Sequence, residues 1–306
     1  MSQYNKELKL TINLVKKATE VTEWFRRKGF NSYLKDDQSP VTLADFASQI
    51  YIISKLKYHF PDDEIIAEEE NVSFVDNNAE NLIKHCFNEL NLNYLNSIKE
   101  NIGYRGSISR RQWTVDPIDG TIGFQKGLSY AIGIGFMVNS IPKVCAIAVP
   151  NYKGKDLAIF SAEQGQSAQV SYNDIGIKPI KVSQKEDLKD VRLCHSLHYD
   201  RPWVLKFARI IGITDFTQID SMAKFCMVAD GSADLYIKPL ELQPTKSWDF
   251  LPGDLLVREA GGNVTDLNGV RLEFKEHKCL WTGPGIIASN GVLQKKILEL
   301  IKRESI

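Results

Sequence analysis

Apolar residues recur at helical spacing near the start of the chain (Leu8, Leu14, Val15, Ala18, Val21, Phe25), with lysines and glutamates between them. This predicts an amphipathic helix over 8–25, with Gly29 as its stop. A polar loop through Asp36, Asp37 and Ser39-Pro40 precedes a second predicted helix over 42–58, capped by Thr42 or Ser39, with Asp45 in or near its first turn. Glu64-Ile65-Ile66-Ala67 reads as a short buried strand running into three acids, Glu68, Glu69 and Glu70. Residues 71–112 are polar and asparagine-rich, with one helical pattern at 82–90, and read as a surface insertion. Beyond the strand Trp113-Thr114-Val115, the stretches 130–138, 141–149 and 157–170 are rich in β-branched and aromatic residues, with breaks at Asn139-Ser140, Pro150-Asn151 and Gly165. They predict an antiparallel meander. After Lys178-Pro179 the pattern alternates: strand 191–194, helices 202–211 and 221–229, strand 233–237, helix 249–260, strand 285–289, helix 292–303. The expected fold is an α/β (α+β) layered sandwich with an antiparallel first half, 1–178, and an alternating second half, 179–306.

Lysine plus arginine equals aspartate plus glutamate at 38 each, so no overall field draws the chain to nucleic acid or an anionic membrane. The first residues are polar, without the apolar stretch of a secretion signal, and no run approaches the roughly 20 apolar residues of a membrane span. Cys86, Cys145, Cys194, Cys226 and Cys279 are scattered, without the short paired spacing of zinc sites. Buried thiols in a reducing cytoplasm are expected.

Candidate chemistry rests on carboxylates at the ends of predicted elements. Asp116-Pro117-Ile118-Asp119-Gly120-Thr121 comes directly after a strand, so two aspartates across a tight turn, with the Ile118 carbonyl between them, can face one hard cation such as Mg2+. A helix starting at Gly120 would offer free N–H groups to a phosphate oxygen beside that cation. Glu68 at a strand end and Asp249 at a helix start add two more acids. Convergent carboxylates repel unless more than one divalent cation relieves them, and paired metals suit phosphoryl transfer. Singly, each piece has a plainer account: Glu68 to Glu70 as a solvated loop, Asp249 as a helix cap, and 116–121 as an Asx-type turn.

Together the segments resemble the inositol monophosphatase-like superfamily of lithium-sensitive, magnesium-dependent phosphatases. Glu68-Glu69 resembles its Gly-Glu-Glu strand end, 116–121 matches its Asp-Pro-Ile-Asp-Gly-Thr motif, and Trp248-Asp249 with Glu259-Ala260-Gly261-Gly262 matches its Trp-Asp…Glu-Ala-Gly-Gly motif. The resemblance implies a layered αβαβα sandwich in which Glu68, Asp116, Asp119, Asp249 and the Ile118 carbonyl hold two or three Mg2+ ions. Finer features resemble the bisphosphate nucleotidases of that superfamily: Ser39-Pro40-Val41-Thr42 through Asp45, Phe60-Pro61-Asp62-Asp63, Gly123-Phe124, and Asp220 to Cys226 with Ala233-Asp234-Leu235-Tyr236. By that likeness Ser221, Lys224 and Lys238 contact a nucleotide, and His195 with Ser196 lies against the base. Ala67, Ile122 and Lys238 depart from the usual glycine, lysine and arginine, and Pro252 is expected in a first helical turn, where it is tolerated.

The activity implied by the resemblance is hydrolysis of the 3'-phosphate of 3'-phosphoadenosine 5'-phosphate, giving AMP, by a metal-activated water, with lithium inhibition as a family trait. Asp45, hydrogen-bonded to the Thr121 hydroxyl, would be the base, Glu68 would act through its metal, and the Gly120 and Thr121 amides would hold the phosphoryl oxygens. The protein is expected to be a monomer or homodimer acting on a small phosphorylated nucleotide. The rivals are an inositol phosphate phosphatase of the same superfamily and a catalytically silent binder of a phosphorylated metabolite.

Overall fold

The computed structural model describes residues 3–94, 97–173, 175–198, 202–240, 245–274, 279–280 and 283–303. Helix α1 (Asn5–Lys28) buries Leu14, Val15, Ala18, Val21 and Phe25 and ends at Gly29, whose φ of +93° a side chain would strain and whose N–H closes on the Phe25 carbonyl. A hairpin of β1 (Ser32–Leu34) and β2 (Pro40–Thr42) leads into α2 (Leu43–His59). Thr42 caps α2 and Asp45 reaches back to the Thr42 N–H in a capping box. Helix α2 is buried along most of its length because α1, the sheet and the crossover helices surround it.

Strands β3 (Glu64–Ala67), β4 (Arg111–Asp119), β5 (Ala131–Val138), β6 (Ile141–Pro150), β7 (Leu157–Glu163), β8 (Gln169–Tyr172) and β9 (Ile175–Pro179) form one sheet in chain order. From β4 onward every pairing is antiparallel, as the meander predicts, but β3 and β4 are parallel. A parallel pair needs a crossover. Residues 68–110 supply it, with α3 (Asn77–Glu89) burying Ile83, Cys86 and Phe87, and α4 (Ile98–Gly103) burying Ile98 and Ile102 in the same core as α1 and α2. The expected surface insertion is therefore structural.

A short helix, α5 (Thr121–Gln125), comes after β4. The second sheet has the order β11 (Asp215–Gln218), β10 (Arg192–His195), β12 (Leu235–Pro239), β16 (Gly285–Ser289), β14 (Asn263–Asp266). Its first pairings are parallel and its last antiparallel. Helices α6 (Pro202–Ile210) and α9 (Gln294–Arg303) cover its outer face, α7 (Ala223–Ala229) and α8 (Ser247–Glu259) its inner face, and β13 (Thr245–Lys246) pairs with β15 (Cys279–Leu280).

Three cores hold the five layers together, the middle one packing α7 and α8 against both sheets, and strand alternation shows how. On β6, Val144, Ala146 and Ala148 pack toward α1 and α2, while Cys145, Ile147 and Val149 pack toward α7 and α8. On β16, Ile286 and Ala288 join that middle core, and Ile287 joins α6 and α9 beyond it. This is the αβαβα sandwich the sequence resemblance implies. Gly133 and Gly135 on β5 let the middle helices press close: a Cβ would stand 2.4 Å from Met222 Cε at the first and 2.2 Å from Leu251 Cδ2 at the second.

Two helix boundaries differ from expectation. Ser221 has φ +69°, so α7 begins only at Ala223, after a strained turn. Helix α8 starts at Ser247, before Asp249, which puts Pro252 in its second turn rather than its first.

Candidate active site

The site forms where β4 leaves its sheet. Pairing shifts between Asp116, opposite Gly133, and Asp119, opposite Ala131, so three steps on β4 face two on β5. Such a bulge re-aims side chains. Asp116, Ile118 and Asp119 consequently line one cleft of about 480 Å³, where strict alternation would have sent Asp119 to the far face. Pro117 has no N–H to lose there, and its carbonyl accepts from Ser48 Oγ on α2 at 3.2 Å. Gly120, with φ +90°, turns the chain into α5.

Glu68, from the end of β3, and Asp249, from the first turn of α8, line the same cleft, as do Gly120 and Thr121. Asp45 lies just behind Thr121: its Oδ2 accepts from the Thr42 N–H at 2.8 Å and hydroxyl at 2.5 Å, while its Oδ1 accepts from Thr121 Oγ1 at 3.4 Å. Thr121 Oγ1 also lies 3.2 Å from the Ile118 carbonyl.

These acids share one electrostatic condition. Burial pushes Asp45 up to about 7, against the Thr42 hydroxyl and with the help of Glu68. Burial likewise lifts Asp249 to about 7, opposed by Lys238 and reinforced by Asp119 and Glu68. Asp116 is raised further by burial and by Glu68, Asp119 and Asp249, and Asp119 is raised by burial despite Lys224 and Lys238. Asp116 Oδ1 is buried without a hydrogen-bond partner. Buried, mutually repelling carboxylates with an orphaned oxygen fit a hard divalent cation. Among the described residues no three His, Cys, Asp or Glu side chains already form a closed ion cage. Glu68 Oε1 accepts from Lys35 Nζ at 2.7 Å.

Of the residues expected to contact a nucleotide, Ser196, Ser221, Lys224 and Lys238 all line the cleft. Lys224 is buried, which lowers it to about 8 against the pull of Asp119, and its ammonium lies 5.4 Å over the Tyr236 ring. Lys238 lies 5.1 Å over Phe250. His195 is placed differently: it is buried at the end of β10, edge-on to Phe216, and is not among the cleft-lining residues. Strand alternation explains this, since Ser196 beyond it reaches the cleft instead.

Several contributors carry no sequence signal. The Met222 N–H donates to Asp119 Oδ2, a backbone contact that any residue type could make. Lys35, which bridges Glu68 and Glu69 at 2.7 Å each, looks like one more loop lysine. Asp220 is signalled only through its Asp-Ser-Met-Ala-Lys segment; its carboxylate pairs with His198 and accepts the Leu197 N–H at 2.9 Å.

The layered α/β sandwich thus gathers carboxylates from distant parts of the chain, Glu68 to Asp249, into one cleft. Residues 4–305 match the model of the inositol monophosphatase family. The chain is 31% identical to the 3'(2'),5'-bisphosphate nucleotidase of Emericella nidulans, over 98% of each protein. It is 31% identical to that of Schizosaccharomyces pombe over 97% of this chain and 95% of the relative. To the 3',5'-bisphosphate nucleotidase 2 of Arabidopsis thaliana it is 29% identical, over 99% and 97%. The extragenic suppressor protein suhB of Bartonella henselae superimposes with a TM-score of 0.72 at 22% identity, over 98% of this chain and 99% of that one. The Thermotoga maritima IMPase does so at 0.71 and 22%, over 97% of each. The chain belongs to the inositol monophosphatase family. Among the described residues no helix is long and apolar enough to cross a membrane.

Proposed function

We propose that this protein is a Mg2+-dependent phosphatase that removes the 3'-phosphate of 3'-phosphoadenosine 5'-phosphate, giving AMP. One observation carries this reading: the carboxylates share their cleft with Lys224 and Lys238, whose ammonium groups lie over the Tyr236 and Phe250 rings. A flat base with a second phosphate suits cations set against aromatic rings, whereas a ring of hydroxyls asks for hydrogen-bond acceptors. The names of the relatives support the same choice. Residues 1–178 would supply Asp45 and most of the metal ligands, and 179–306 would supply Asp249 and the nucleotide contacts, in a cytoplasmic monomer or homodimer.

Glu68, Asp116, Asp119, Asp249 and the Ile118 carbonyl would hold two or three Mg2+ ions. Such ions, when bound, polarise phosphoryl oxygens and make a nearby water more acidic. The chain's own groups do the rest. Thr42 fixes Asp45 Oδ2, so Oδ1 is the oxygen left to face Thr121, which lines the cleft. The Thr121 hydroxyl has one hydrogen; donated to Asp45, it leaves a lone pair that orients the attacking water. Asp45, raised by burial to about 7, where a base is both ionised and basic, then takes the Thr121 hydroxyl proton as that hydroxyl takes the water's. The amides of Gly120 and Thr121 are offered to the phosphoryl oxygens. Ser221 and Lys224 would hold the nucleotide, with Ser196 and Lys238 at its rim. His195 enters this reading only as a support behind Ser196.

Purified protein with Mg2+ is expected to release phosphate from 3'-phosphoadenosine 5'-phosphate at least about tenfold faster than from inositol 1-phosphate, inositol 1,4-bisphosphate or fructose 1,6-bisphosphate. A preference for an inositol phosphate would assign the rival substrate class, and no release from any would favour a silent binder. Millimolar lithium is expected to inhibit at limiting Mg2+. Unchanged turnover would remove lithium sensitivity from the reading.

A further inference from the structure

Helix α2 presents Gln49 one turn beyond Asp45, on the same face. Gln49 is fully buried, and its side-chain amide closes a two-bond ring on the main chain of Glu69. Gln49 Nε2 donates to the Glu69 carbonyl at 2.6 Å, and the Glu69 N–H donates to Gln49 Oε1 at 2.9 Å. This happens where the sheet stops supporting the chain. The last β3–β4 pair is Ala67 with Val115, and the Glu68 N–H still reaches the Val115 carbonyl at 3.2 Å. One residue later no strand remains to pair with, and the Gln49 amide takes the place of a neighbouring strand. Arg105 Nη2 shares the Glu69 carbonyl at 2.9 Å, but the Glu69 N–H has Gln49 as its acceptor.

We infer that Gln49 is a positioning residue: by fixing the main chain at Glu69 it holds Glu68 in place for the metal, and it ties that strand end to the helix bearing Asp45. The inference rests on the proposed role of Glu68 as a metal ligand. Residues that orient a ligand affect metal binding and activity by about 10–100-fold when removed. The neighbouring Ser48, which holds the Pro117 carbonyl, gives α2 a second grip on the other acid-bearing strand. Base and metal-ligating strand ends are thereby referred to one rigid element.

The test is a double-mutant cycle read by Mg2+ calorimetry on the full chain. Gln49→Met keeps the length and removes both hydrogen bonds. Alone, it is expected to weaken Mg2+ binding about tenfold or more and to lower kcat with little change in KM. Added to Glu68→Gln, it is expected to cause no further loss of Mg2+ affinity, because the ligand it positions is already gone. Equal losses in both backgrounds would make Gln49 an ordinary packing residue and overturn the inference. If Glu68→Gln alone leaves Mg2+ binding intact, the ligand role fails instead, and the two failures are thus distinguishable. Melting in EDTA checks the fold. Should Gln49→Met not fold, Gln49→Ala, with room for water, is read the same way, and failure of both to fold would make the residue a determinant of the fold and end the proposal.

Discussion

Asp45→Asn is expected to lower kcat by about two to four orders of magnitude, the usual contribution of a positioned general base, while Mg2+ affinity changes less than about threefold. The asymmetry comes from hydrogen bonding. Asp45 Oδ2 accepts two hydrogens from Thr42, so an asparagine must turn its oxygen there and its NH2 toward Thr121. The Thr121 hydroxyl would then receive a hydrogen from residue 45 instead of giving one, and its own hydrogen would point elsewhere, toward the Ile118 carbonyl at 3.2 Å. Proton acceptor and water orientation disappear together. The capping bonds survive, so α2 and the acid-bearing strands keep their places. Steady-state kinetics beside Mg2+ calorimetry measures both quantities, and parallel loss of rate and affinity would make Asp45 a determinant of the metal site rather than the base.

The contrast between Asp45 and His195 shows what can be read from the sequence. Asp45 is legible because its local chemistry is a helix start: a capping threonine, an acid three residues on, an apolar run behind. The meander and the acid-bearing turn at 116–121 are legible for the same local reasons. His195 is not, since a strand residue's face depends on register with partners far along the chain, and one position separates the buried ring from the cleft-lining Ser196. The segment 71–112 misleads because polarity in sequence says little about topology. Apolar residues scattered through it, among them Ile83, Cys86, Phe87, Ile98 and Ile102, are buried by the crossover. The bulge between Asp116 and Asp119 is likewise a property of pairing, invisible until β5 is beside β4. Motif spacing thus locates the acids, and only the folded pairing determines which of them face one cleft.

Asp116→Asn is expected to separate stability from function in opposite directions. Burial, then Glu68, Asp119 and Asp249, raises the Asp116 carboxyl well above its ordinary value, so at pH 8 without metal it costs the folded chain stability, whether it ionises there or holds a proton. Asn keeps the shape and removes the ionisable group. The metal-free variant should melt several degrees above the metal-free parent at pH 8, given that about 1 kcal/mol moves the midpoint of a chain this size by roughly 2–4 °C or less. The pH dependence has a definite sign. Asp45 and Asp249 are raised to about 7 when folded, against about 4 when unfolded, so the folded state binds more protons between those values. Metal-free parent protein is most stable at the acid end of that window and loses stability as pH rises through about 7, more steeply than the variant. Saturating Mg2+ should reverse the ranking, because binding to the folded state stabilises the parent in proportion to its affinity, while a variant lacking a ligand gains little. Phosphate release by the variant should fall by more than about a hundredfold, beyond the usual cost of losing an outer partner. Melting curves at roughly pH 5 and pH 8, with EDTA and with Mg2+, test both the sign and the reversal. A metal-free variant that melts below the parent at the alkaline end would mean that the carboxylates do not strain the fold, and would remove the physical ground for a cation among them.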